Sequence, residues 1–103
     1  MTKIVLVCGA GMSTSLLVTK MEEAAKALDG DFDISAVSGS GLQGVAESAD
    51  VLLLGPQITF RKNEYKQKYE PFGVIVDVID SIDYGTMNGE KVLNFALNLL
   101  NEK

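Results

Sequence analysis

The chain has 103 residues and a mass of 11.0 kDa, which fits one domain, 1–103, and leaves little room for a second. Hydrophobic residues at 47% and charged residues at 22% argue against disorder, and a net charge of −5, with Arg61 the single arginine, argues against nucleic acid as a partner, because phosphate-backbone binding needs a cationic face. No histidine and one cysteine exclude a histidine-based triad, a His metal site, an internal disulfide and a Cys-rich zinc site; no metal and no cofactor are expected, and a lone thiol fits a reducing compartment.

Ile4-Val5-Leu6-Val7 is a short apolar run followed by glycines, the pattern of a strand buried on both faces. Ser13 or Thr14 is placed to cap a helix whose apolar positions are Leu17, Met21, Ala24, Ala25 and Leu28, ending at Gly30. Phe32 to Val37 alternates and predicts a second strand. Ser38 to Gly41 is a loop, and a short helix is expected from Leu42 to Ser48. Val51 to Leu54 is a third strand, stopped by Gly55-Pro56. Ile58 to Tyr69 reads as a helix with apolar positions at Ile58, Tyr65 and Tyr69, ended by Pro71. Gly73 to Val78 is a fourth strand. Asn88 is placed to cap a last helix, with Val92, Phe95, Ala96, Leu99 and Leu100 on one face. Strands and helices alternating in this way predict an α/β fold, a single open parallel sheet with helices on both faces and right-handed crossovers.

The longest uncharged stretch, Ile4 to Thr19, is too short and too polar to span a bilayer. Ile4–Val7 is too short for the apolar core of a signal peptide. The chain is therefore expected in the cytoplasm, without direct insertion into a membrane.

Ligands of open α/β sheets bind at the carboxyl ends of the strands. Here those ends carry Cys8 to Ser15, the loop near Ser38, Gly55-Pro56-Gln57 and Ile79-Asp80-Ser81. Cys8-Gly9-Ala10-Gly11-Met12-Ser13-Thr14-Ser15 is the most informative: small residues join a strand to a helix start. Backbone N–H groups of such a P-loop-like segment converge on an anion, the helix dipole adds to the attraction, and three hydroxyls supply further donors. The same surroundings lower the pKa of a thiol, so Cys8 is a candidate nucleophile beside a phosphate site. Spacing separates the known phosphate loops. The dinucleotide fingerprint requires a third glycine where Thr14 stands, and the Walker A loop requires a lysine that is absent between Lys3 and Lys20. The cysteine phosphatase loop, C-x5-R-[ST], comes closest, but Thr14 takes the place of its arginine. Without that bidentate clamp the loop is suited to holding a phosphoryl group rather than hydrolysing it.

These residues resemble the enzyme IIB component of the sugar phosphotransferase system, in its lactose/cellobiose family. The resemblance rests on Val7-Cys8-x-Ala10-Gly11-Met12-Ser13-Thr14-Ser15-Leu16-Leu17, Leu53-Leu54-Gly55-Pro56-Gln57-Ile58 and Val78-Ile79-Asp80-Ser81-x-x-Tyr84-Gly85, and it covers essentially the whole chain. It implies a strand order of 2-1-3-4 and a phosphorylated cysteine, which maps onto Cys8. It also implies a phosphohistidine donor on enzyme IIA and a sugar acceptor on membrane enzyme IIC, the sugar being a β-linked disaccharide such as cellobiose, chitobiose or lactose. The protein would then be a phosphotransferase and, as expected here, a monomer.

Gly9, Ala10, Gly11, Met12, Ser13, Thr14 and Ser15 are the phosphate-binding candidates. Gln57 is an accessory candidate or a polar turn residue. Tyr84 is a second accessory candidate or a packing residue, and Asp80 is expected to cap a turn. Arg61, Lys62, Lys66 and Lys68 form either a solvated helix face or a docking patch for an acidic surface. A phosphatase-like hydrolase and an anion-sensing module with an inert thiol are the rival readings.

Overall fold

The computed structural model describes residues 1–7 and 14–102. Strand β1, Thr2–Val7, is parallel to β2, Phe32–Val37, with Val7 opposite Val37, and to β3, Val51–Leu54, with Val7 opposite Leu54. Strand β4, Ile75–Val78, pairs with β3 and places Val78 opposite Leu54. The four-stranded sheet has the order β2-β1-β3-β4, as expected. Ile4, Val5, Leu6 and Val7 are each 0% exposed, so the central strand is buried on both faces, which is why its sequence is an unbroken apolar run rather than an alternating one.

The two faces have separate cores. Ile4 and Leu6, with Val51 and Leu53, pack against helix α1, Thr14–Ala25, and helix α4, Gly89–Asn101, through Leu17, Met21, Val92 and Ala96. Val5 and Val7, with Leu52 and Leu54, pack against Ile58, Tyr65 and Tyr69, the last two on helix α2, Lys62–Tyr69. Each fully buried aliphatic or aromatic side chain contributes about 1.5–3 kcal/mol relative to exposure.

Several expectations are corrected. Helix α1 ends at Ala25, and Leu28 lies beyond it, 39% exposed, in the turn that Gly30 completes with φ 114°, a conformation that favours glycine. No α-helix forms between β2 and β3. The connection is made of 3₁₀ turns at Gly39–Gly41 and Ala46–Ser48, and Leu42, Ala46 and Ala49 cover the sheet from it. The predicted 58–69 helix starts as a 3₁₀ segment, Pro56–Arg61, broken at Ile58 (φ −118°, ψ 30°), and becomes α-helical only at Lys62. Gly73 and Val74 precede β4 rather than belonging to it. A five-residue helix α3, Ser81–Gly85, follows β4 and was not expected from the sequence.

The last helix is capped as predicted: Asn88 Oδ1 accepts a hydrogen bond from Lys91 N at 3.1 Å. Its buried stripe includes Leu93, 1% exposed, which the expected face of Val92, Phe95, Ala96, Leu99 and Leu100 omits. Among the described residues no helix is long and apolar enough to cross a membrane.

Helix α4 begins against the backbone of α1. A Cβ at Gly89 would collide with the Lys20 carbonyl carbon and the Met21 amide nitrogen, neither of which moves without displacing the helix. Gly89→Ala is expected to lose about 3 kcal/mol of unfolding free energy in urea, at the upper end of overpacking costs. A loss below about 0.5 kcal/mol, the range of an ordinary surface change, would show that the contact is not tight.

Candidate functional site

The register aligns the strand ends Val37, Val7, Leu54 and Val78 in one row. Gly55 N donates to Val7 O at 2.8 Å, and Ile79 N donates to Leu54 O at 2.8 Å. These bonds fix where the chain leaves β1 and β3. Cys8, Gly9, Ala10, Gly11, Met12 and Ser13 lie outside the described residues. Of the predicted phosphate-binding residues, Thr14 and Ser15 are described. Thr14 opens α1 and is buried, 3% exposed; Ser15 is exposed, and its carbonyl accepts from Thr19 Oγ1 at 3.1 Å. Together with Ala36, Val37 and Ser38 they line a shallow depression of about 150 Å³ between the start of α1 and the end of β2.

Gln57 is exposed in the 3₁₀ segment after β3, where Thr59 Oγ1 donates to Pro56 O at 2.8 Å and steadies the turn. Asp80 is the cap foreseen for it: Oδ2 accepts from Ile82 N at 3.0 Å and Asp83 N at 3.2 Å. Tyr84 is 8% exposed and its ring belongs to the α1/α4 core. The site therefore draws on separate elements: the start of α1, the loop after β2 and the turn after β3 reach the carboxyl edge, while the Tyr84 ring lies in the core below it.

The basic cluster is answered within its own surface. Arg61 pairs with Glu64 at 3.1 Å, Lys62 with Asp77 at 3.3 Å and Lys66 with Glu70 at 3.6 Å, and Lys68 lies over the Tyr69 ring at 5.5 Å. Exposed pairs of this kind contribute about 0–1 kcal/mol each, but they leave little uncompensated positive charge. The arrangement favours the solvated-face reading.

Helical periodicity identifies Tyr65 as an apolar position and gives its hydroxyl no role. The structure makes it the outlier of the α2-face core. Tyr65 is 3% exposed, and its buried hydroxyl has no hydrogen-bond partner among the described residues. Stranding such a group costs roughly 1–3 kcal/mol. The Arg61 guanidinium lies 5.1 Å from the centre of its ring. The only signal in the sequence is the choice of tyrosine where phenylalanine would satisfy the pattern.

A family model for the lactose/cellobiose-specific IIB subunit of the phosphotransferase system matches residues 3–95. The chain belongs to this family. The IIB chain is 48% identical over 103 residues to the galactose-specific EIIB component of Lactococcus lactis subsp. cremoris (strain MG1363), with 95% of each chain covered. It is also 48% identical over 103 residues, with the same coverage, to the cellobiose-specific EIIB component of Lactococcus lactis subsp. lactis (strain IL1403). Among solved structures, it is similar to the cellobiose-specific IIB component from Borrelia burgdorferi. That match has 46% identity and a TM-score of 0.79, covering 99% of this chain and 94% of the other. Equal identity to relatives named for different sugars means that overall similarity does not select between those sugars.

Burial raises the Tyr65 phenol above its ordinary value of 10.0, with the nearby Arg61 charge opposing it. The native state then holds this proton at pH values where the unfolded chain releases it, so stability falls as pH rises above about 10. In Tyr65→Phe this part of the alkaline loss is expected to disappear in denaturant titrations from pH 9 to 11. An unchanged alkaline slope would show that Tyr65 titrates normally.

Proposed function

We propose that this IIB chain is a phosphocysteine carrier in which Cys8 accepts a phosphoryl group from a phosphohistidine of enzyme IIA and passes it to a sugar bound by membrane enzyme IIC. The observation that carries the reading is the position of Val7, the end of the buried central strand, between the ends of β2 and β3. Cys8 follows Val7 in the sequence, and helix α1 begins at Thr14. This is the crevice in which open α/β sheets bind ligands, and the Gly9–Ser15 segment has the composition of an anion cradle. Membership of the family supports the same assignment.

In the first transfer the Cys8 sulfur, as thiolate, attacks phosphorus in line. The S–P bond forms as the P–N bond to the donor imidazole breaks, and the imidazole nitrogen keeps the electron pair. In the second transfer a sugar hydroxyl attacks the same phosphorus, its proton goes to a base of the acceptor complex, and the thiolate leaves. Such transfers demand mainly positioning and charge stabilisation, so the Gly9–Ser15 backbone, with the Ser13, Thr14 and Ser15 hydroxyls, supplies most of what this chain contributes. Gln57 is the accessory candidate that reaches the surface on the carboxyl edge. Tyr84 supports the floor of the site. The acceptor is a sugar of the β-linked disaccharide class, and the reaction takes place in the cytoplasm.

Two partners must reach Cys8 in turn, so a common docking rim is needed. Leu16, Phe60 and Ile82 are 51%, 81% and 71% exposed, and each stands near the start of the segment that follows β1, β3 or β4. They supply the apolar centre that transient interfaces require.

Intact mass after incubation with phosphoenolpyruvate and a complete set of upstream phosphotransferase proteins tests the carrier reading. One added phosphoryl group is expected, and Cys8→Ser is expected to fold normally without acquiring it. A serine variant that still relayed phosphate to sugar would defeat the assignment, and steady hydrolysis of an aryl phosphate would favour a phosphatase. For the rim, Phe60→Ser and Ile82→Ser are each expected to raise the KM for the phosphorylated donor about tenfold, equivalent to ~1.4 kcal/mol, with unchanged thermal stability. Unchanged KM values in both would place the docking surface elsewhere.

A further inference from the structure

Arg61 and Tyr65 converge on the loop after β2. A Cβ built on Gly39 would stand 3.4 Å from Arg61 Nη1 and 3.4 Å from the Tyr65 hydroxyl oxygen. Arg61 uses Nε and Nη2 on Glu64, at 3.4 and 3.1 Å, and turns Nη1 toward Gly39. Helix α2 packs over β4, whereas Gly39 follows β2 at the opposite edge of the sheet. Because β1 lies between β2 and β3, side chains that reach from the α2 region to Gly39 pass over the carboxyl end of β1. Tyr65 shares its buried cluster with Val7, and Cys8 is the next residue in the sequence.

The buried Tyr65 hydroxyl has no acceptor among the described residues, although phenylalanine would fill the same space without stranding a donor. Polar groups held at a cost to stability are expected where another state of the molecule uses them. We propose that the Tyr65 hydroxyl and Arg61 Nη1 are side-chain donors to the phosphoryl group carried by Cys8, supplying from outside the 8–15 segment the guanidinium clamp that this segment lacks. The proposal rests on the carrier reading above. The Arg61 Nη1 N–H groups and a phenolic O–H are donors matched to the oxygens of a phosphoryl group, and burial keeps the phenol protonated, hence a donor, at neutral pH.

The test compares wild type, Tyr65→Phe, Arg61→Gln and Arg61→Lys by rapid-quench mass spectrometry with phosphorylated enzyme IIA, and by 31P NMR of the phosphorylated chains. All four are expected to take the adduct at Cys8. Acceptance slows about tenfold in Tyr65→Phe and about 100-fold in Arg61→Gln, with partial recovery in Arg61→Lys. The 31P resonance moves in Tyr65→Phe, whose thermal stability is equal to wild type or higher. Wild-type rates and an unmoved resonance in both Tyr65→Phe and Arg61→Gln, with the Cys8 adduct intact, would overturn the proposal and leave the carrier reading standing. A Tyr65→Phe chain that is slow because it is less stable would also overturn it, since the role would then be structural. No adduct on wild type beside a phosphorylated donor would remove both.

Discussion

Burial of β1 on both faces is the constraint on which the rest of the molecule depends. A strand with Ile4, Leu6 on one side and Val5, Val7 on the other, all fully excluded from solvent, needs a neighbour on each edge and a layer above and below. Parallel pairing supplies the neighbours, and parallel pairing requires crossovers that return the chain to the same end of the sheet. The connections that leave β1, β2, β3 and β4 therefore all start at one edge. The concentration of chemistry-bearing segments there is a consequence of how a fully buried strand is satisfied, and the Gly55 N to Val7 O bond is its local expression.

The elements whose sequence records a single dominant force were legible. Phe32–Val37, which alternates, and Val51–Leu54, an apolar run, match their structural limits because both are bounded by turn residues. The strand order came from family resemblance, since burial alone does not distinguish the arrangements of four parallel strands. The Asn88 cap was readable because a side-chain oxygen at a helix start has a specific backbone partner. Segments decided by tertiary packing were not readable. Leu42, Ala46 and Ala49 cover the sheet from 3₁₀ turns, although their spacing resembles that of a helix. Pro56 and the Thr59 hydroxyl hold a 3₁₀ turn where periodicity suggests an α-helix from Ile58. Helix α3 is too short for periodicity to detect, and only its Asp80 cap was visible. Near the candidate site, the Asp80 cap was legible by residue type. Tyr65 was legible only as a core position, because its ring fits the apolar pattern and only three-dimensional structure reveals that its hydroxyl lacks a partner among the described residues.

The electrostatics of the surface follow from the same placement. With fourteen acidic and nine basic residues, an attraction to an acidic partner would require the basic cluster to remain unspent. It is spent instead on Glu64, Asp77 and Glu70. In the proposed docking rim, recognition would fall to exposed apolar side chains such as Phe60 and Ile82 and to oriented donors. Such contacts depend on shape more than on salt, which suits the carrier role proposed for this chain.

The 3₁₀ connection between β2 and β3 also sets where the molecule yields first. A packed helix opens as a cooperative unit, whereas short turns held by a few side chains open locally at smaller free-energy cost. On the α2 face, the quarter near β2 is covered by such turns, with small Ala46 and Ala49 contributing to the cover. Amide hydrogens of residues 39–49 should therefore exchange through sub-global openings while α1, α4 and the central strands exchange only on global unfolding. This connection crosses the sheet face from the carboxyl end of β2 to the amino end of β3, where Ser48 and Asp50 meet Lys3, so its opening would loosen one face while leaving the α1/α4 core intact.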